Sequence, residues 1–155
     1  MPSGRAIAET TRDPTSARYP LCIHENISAA NVDVMLRFRP VDGKVDQAGG
    51  IVVRLRDPGT YYVVRANALE DNVRLYHVIK GVRRQFAGKD GVKVAAGRWH
   101  TLRLRLAGDA FEVFFDGQSM FTARDTRIAA PGKVAVWTKS DSVTQFGEMT
   151  VSVLP

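Results

Sequence analysis

Only one cysteine, Cys22, occurs in the 155 residues, which excludes an internal disulfide and any multi-cysteine zinc site. No apolar run is long enough to cross a membrane as a helix. The segment from Met1 to Tyr19 carries Arg5, Glu9, Arg12, Asp13 and Arg18 and has no apolar stretch of the kind a secretory signal needs. As written, the chain is therefore expected in the cytoplasm. If its true start lies upstream of Met1, the expectation changes to export.

Catalytic signatures are also scarce. His24, His77 and His100 are dispersed, without the spacing of a zinc helix. No Gly-x-Ser-x-Gly elbow is present to hold a nucleophile, and no glycine-rich loop to cradle phosphate. Glycosidases place two carboxylates across the scissile bond. Here Glu70 and Asp71 fall at a turn and Glu112 stands alone between Phe111 and Val113, so the reading is of solvated acids and the catalytic residues, if any, are undefined. The net charge is +6 with a pI near 9.8. The basic residues are spread through the chain and mixed with Asp and Glu, which points to a solvated basic surface and away from nucleic acid.

What is present is strand signal, about every ten residues, punctuated by Gly, Pro, Asp and Asn. Val32, Val34, Leu36 and Phe38 alternate with Asp33, Met35 and Arg37, so one face is dry and the other mostly wet. Ile51 to Arg56 leads through Asp57, Pro58 and Gly59 into Tyr61 to Ala68, with Gly59 expected at positive φ. Val73 to Ile79 and Val82 to Ala87 complete a four-strand meander, which loops this short allow only in antiparallel pairing. His100, Leu102, Leu104 and Leu106 share one face of the next strand, and Asp116-Gly117 is the signal of a type I′ hairpin. Met120 to Ala123, Lys133 to Lys139 and Gln145 to Val153 follow, and a strand is expected already at Arg5 to Thr10. The expectation is one domain over residues 1–155: an all-β, two-sheet antiparallel jelly-roll sandwich of eleven or twelve strands. Cys22, between Leu21 and Ile23, is expected as a small core residue, and Trp99 as a packing anchor.

The stretches Gly49 to Asn67, Asp71 to Tyr76, Gly97 to Leu102, Val113 to Gly117 and Gly132 to Asp141 resemble, in that order, the concanavalin A-like lectin/glucanase superfamily. More narrowly they resemble bacterial 3-keto-disaccharide hydrolase-type domains, and more loosely laminin G-like domains. The resemblance covers roughly Ala6 to Val153 and rests mainly on turn and core positions. It implies a concave sheet with the ligand across it, lacks the Glu-x-Asp-x-x-Glu motif of related glucanases, and leaves room for a calcium ion near Asp71 or Asp141; no other cofactor or metal is implied.

Strand parity supplies a candidate ligand site. With a regular register around Pro58, Arg54, Arg65 and Asn67 share a face; Trp137 and Lys139 share one on a later strand, with Asp141 beyond it. An aromatic plate beside such groups suits a pyranose, which offers a C–H face for stacking and hydroxyls for hydrogen bonds. The competing reading puts Trp137 in the core and the arginines in solvent. Three functions remain open: a carbohydrate-binding module, a glycoside hydrolase acting on a (3-keto-)disaccharide or glycoside, and a laminin G-like interaction domain whose groove is filled by its own side chains.

Overall fold

The computed structural model describes residues 7–15 and 19–155. Twelve strands run through them: β1 (Ile7–Glu9), β2 (Leu21–Ala29), β3 (Val32–Asp42), β4 (Ala48–Asp57), β5 (Thr60–Asn67), β6 (Asn72–Ile79), β7 (Val82–Asp90), β8 (His100–Ala107), β9 (Ala110–Phe115), β10 (Gln118–Arg124), β11 (Gly132–Trp137) and β12 (Val143–Val153). They form two six-stranded sheets, sheet I in the order β1-β12-β3-β8-β9-β10 and sheet II in the order β2-β11-β4-β5-β6-β7. Every pairing is antiparallel. The fold is the all-β jelly-roll sandwich that the period-two patterning predicts. Of the early strand expected at Arg5 to Thr10, Ile7 to Glu9 is seen, and Arg5 and Ala6 lie outside the described residues.

Alternation decides which side chains meet between the sheets. Val32, Val34, Leu36, Phe38, Leu102, Leu104, Leu106, Phe111, Val113 and Phe115 of sheet I join one apolar cluster with Ile51, Val53, Tyr62, Val64, Ala66, Val73, Leu75, Val134 and Val136 of sheet II. The intervening residues of sheet II build a second, separate cluster: Ala48, Val52, Leu55, Tyr61, Val63, Tyr76, Val78, Ala135 and Trp137, with Tyr19 and Leu21 packed against it. Since they alternate with the core set, they lie on the face of sheet II turned away from sheet I. An outer sheet face that is itself largely dry is the feature that positions the site.

Turn chemistry sets the registers. Asp116 and Gly117 both take positive φ, 48° and 81°, as do Lys80 and Gly81 at 51° and 79°, the pattern of type I′ turns. The Pro58-Gly59 hairpin forms as expected, but Gly59 is not among the positive-φ residues. Its value is space: a Cβ there would come within 3.0 Å of the Gly81 nitrogen in the neighbouring hairpin. Cys22 departs from expectation. It is exposed, because β2 is an edge strand and the cleft beside Cys22, lined by Ile7, Phe146 and Val136, stays open between the sheets. Trp99 is half-buried under the Arg37 guanidinium, 5.4 Å from its ring centre.

Candidate functional site

The outer face of sheet II is organised in rows across the strands. One row runs Leu21, Trp137, Gly50, Arg65, Arg74, Gly88 from β2 to β7, and the next runs Ala135, Val52, Val63, Tyr76, Gln85 from β11 to β7. Glycine sits where large neighbours need room. A Cβ on Gly50 would lie 3.1 Å from the Arg65 Cβ and 3.3 Å from the Trp137 ring, and one on Gly88 would lie 3.2 Å from the Arg74 Cγ.

Trp137 is fully buried, and its indole N–H donates to the Tyr61 hydroxyl at 3.3 Å. Tyr19 stacks on it, ring centres 5.6 Å apart and planes 18° from parallel. The tryptophan therefore lies on the predicted face, and the chain's own tyrosine occupies its stacking surface.

Beside it Arg65, only 3% exposed, donates to the Asn72 side-chain oxygen, to Glu70 at 2.8 Å and to the Tyr76 hydroxyl at 3.0 Å. Burial lowers the Arg65 pKa from its usual range, and the neighbouring Tyr76 and Glu70 work against that. Arg83 lies over the Tyr76 ring at 4.2 Å, with Tyr19 at 5.4 Å and Trp137 at 5.9 Å from the same guanidinium. Arg74 reaches Glu70 at 4.0 Å and the exposed Asp90 at 3.7 Å. Arg74 and Arg83 are partly exposed, so the open half of the face is that of β6 and β7.

The remaining residues of the predicted site divide in two. Asn67 donates to Asp46 at 2.8 Å, Lys139 pairs with Asp46 at 3.1 Å, and Asp141 accepts from the backbone N–H groups of Lys44, Val45 and Asp46. These groups fix the loop between β3 and β4 at the end of the same sheet. Burial raises the Asp141 pKa, but the backbone donors prevail and hold its carboxyl below the usual range. Asp71, the other acid considered for calcium, accepts from the Val94 N–H at 3.0 Å. Among the described residues no group of three or more His, Cys, Asp or Glu is placed to hold a metal.

Arg54 corrects the expectation of a regular register. The β4–β5 ladder shifts between Val53 and Asp57, and Arg54 takes a φ of 50° at the bulge. Its guanidinium turns away from Arg65 and donates to the carbonyls of Ala30, Ile128 and Gly108 at 2.8, 2.7 and 2.6 Å. It is a buried clamp on three loops. Arginines expected either in a groove or in solvent thus prove to be buried, Arg54 and Arg65 alike.

Tyr19, Arg74, Tyr76 and Arg83 were not in the predicted set. The signal was available for two of them: Arg74 faces Arg65 across a hairpin, and Arg74 and Tyr76 are spaced by two in one strand. The three acids weighed as catalysts, Glu70, Asp71 and Glu112, do not converge, with each other or with Asp141. Glu70 lies on this face, Asp71 turns to the segment after β7, Asp141 holds a loop, and Glu112 alternates with core residues on the outer face of sheet I, near Arg105.

The model of the galactocerebrosidase C-terminal lectin domain family matches residues 28–154. The chain belongs to this family. Among solved structures, the carbohydrate-binding module CBM66 from Bacillus subtilis superposes with a TM-score of 0.76 at 16% identity, over 93% of this chain and 97% of that one. The galectin LEC-6 of Caenorhabditis elegans gives 0.62 at 14% identity, over 90% and 93%. A crystal structure described as a putative glycosyl hydrolase, from Parabacteroides distasonis, gives 0.64 at 14%, over 88% and 84%. No curated protein sequence matches. As a member of a lectin-domain family with this jelly roll, the chain shares its fold with both sugar binders and hydrolase-associated domains, and no described helix is long and apolar enough to cross a membrane.

Proposed function

We propose that the chain is a non-catalytic carbohydrate-binding module whose ligand lies on the outer face of sheet II, over Arg74, Tyr76 and Arg83 and against Tyr19. The observation that carries this is the Arg65–Tyr76–Arg83 stack: a buried guanidinium held by Asn72, Glu70 and the Tyr76 hydroxyl, and a second guanidinium 4.2 Å above the same ring, at the open half of a dry sheet face. A saccharide needs rigid hydrogen-bond donors and a flat surface to lie against; the guanidinium plane of Arg83, held on Tyr76, and the half-buried Tyr19 ring, held on Trp137, supply them with little side-chain entropy left to lose. Arg65, Asn67, Trp137, Lys139 and Asp141 act from beneath or from the rim, as the frame of the site. Membership of a lectin-domain family supports the reading.

A glycoside hydrolase, on a 3-keto-disaccharide or otherwise, is the second reading. It would need a partner acid for Glu70, and that carboxylate is already engaged by Arg65 and Arg74. The test is a glycan panel measured by calorimetry and, in parallel, by product release. Binding without turnover is expected, and Arg74→Ala should weaken it about tenfold, the scale of a lost charge-assisted hydrogen bond, with the melting temperature nearly unchanged. Turnover abolished by Glu70→Gln with binding retained would establish the hydrolase instead.

A further inference from the structure

Charge on the open half of this face is unbalanced. Arg65, Arg74 and Arg83 all lie on it; among the described residues Glu70 is the one carboxylate that reaches Arg65, and Arg74 shares Glu70 at 4.0 Å and meets the 83%-exposed Asp90 at 3.7 Å. Among the described residues Arg83 has no carboxylate within ion-pair distance. Its Nη1 is shielded from water and has no acceptor, and the Nε of Arg74 is in the same condition. Buried donors without acceptors are rare and costly in folded proteins. Stacking on Tyr76, with the rings of Tyr19 and Trp137 nearby, fixes the plane of the Arg83 guanidinium without satisfying its N–H groups.

A neutral sugar would meet the exposed edges of the Arg74 and Arg83 guanidinium groups with hydroxyl oxygens and leave the excess positive charge in place. A planar or tetrahedral oxyanion would satisfy both, because a guanidinium presents a fork of donors that matches it. We infer that the ligand of this face is an anionic saccharide, a glycan bearing a carboxylate or sulfate ester, and that Arg83 is the residue that selects for that charge. This rests on the carbohydrate-binding reading above and adds the chemical class of the ligand.

The probes are tetragalacturonate, its carboxyl-reduced analogue and a sulfated galactan oligosaccharide with its desulfated form, each titrated calorimetrically into the full chain at low and at 0.5 M salt. At least one anionic probe should bind about tenfold or more tighter than its neutral counterpart, with the advantage shrinking at high salt. The carboxylate and sulfate arms show which oxyanion is preferred. Arg83→Gln should bring the charged and neutral members of the pair within about threefold of each other, and Arg83→Lys should keep part of the preference. Far-ultraviolet circular dichroism of each variant checks that it folds. If neutral probes bind as well as anionic ones, or if the preference survives Arg83→Gln, the inference is overturned while the carbohydrate-binding function stands. If no saccharide binds, or inorganic sulfate alone competes as well as the glycans, both fall.

Discussion

His77 shows how much a single side chain can hold in this fold. It lies on the inner face of β6, nearly buried, stacked 5.8 Å from Phe86 with the planes 20° apart, and its Nδ1 has no partner. Burial depresses its pKa; Asp125 opposes the shift, and Arg127 and Arg84 add to it. The unfolded chain therefore takes up the His77 proton at a higher pH than the folded one does, and stability falls as pH drops below about 6.5. The Asp141 carboxyl, held below the usual range by three backbone N–H groups, adds a second loss below about pH 4. Urea titrations from pH 7.5 to 3 should show both declines, with the first flattened in His77→Phe and the second reduced in Asp141→Asn, the remainder belonging to Asp33 and Asp125, whose carboxyls are also held low. A stability unchanged between pH 7 and 5 would contradict the neutral, buried assignment of His77.

At the scale of elements, the decisive feature is the bulge in β4. The regular register expected around Pro58 holds from Ala48 to Val53 and breaks at the next residue, Arg54. The inserted kink lies against Gly132, where a Cβ would come within 2.4 Å of the Arg54 carbonyl carbon. A regular alternation cannot announce such a kink, because it is set by the fit of β4 to its neighbour β11, whose ladder with β4 also shifts, between Lys133 and Ala135. The clamp that results should be expensive to lose. Arg54→Ala leaves the carbonyls of Ala30, Gly108 and Ile128 without their donor, and should destabilise the domain by about 3 to 5 kcal/mol in chemical denaturation. A loss below about 1 kcal/mol would mean that water replaces the guanidinium freely.

Other elements were legible because their causes are local. The meander of β4 to β7, the Asp116-Gly117 hairpin and the alternation of β8 each follow from spacing and turn residues that act over a few positions. Burial on the outer face of sheet II was not legible. Nothing in the period of Tyr61, Val63 and Arg65 says that both faces of that strand are dry, nor that Tyr19, far off in sequence, covers Trp137. Cys22 failed for the mirror reason: apolar neighbours suggested a core strand, and its position at a sheet edge exposed it.

For the whole molecule, the sandwich keeps two kinds of surface apart. The outer face of sheet I pairs its charges, Arg103 with Asp33 at 2.6 Å and Arg105 with Glu112 at 3.5 Å, and reads as a solvated surface. The outer face of sheet II buries aromatic rings and, among the described residues, carries more guanidinium groups than carboxylates that pair with them. By the function we propose, a saccharide meets this second face. The direct measurement is a nuclear magnetic resonance titration of isotope-labelled chain with the tightest glycan from the panel. The indole N–H of Trp137, the backbone amides of Arg74, Tyr76 and Arg83, and the side-chain N–H groups of Arg65 are expected to shift, while Asp33, Arg103 and Glu112 stay still. Shifts confined to sheet I, or to the Cys22 edge, would contradict it.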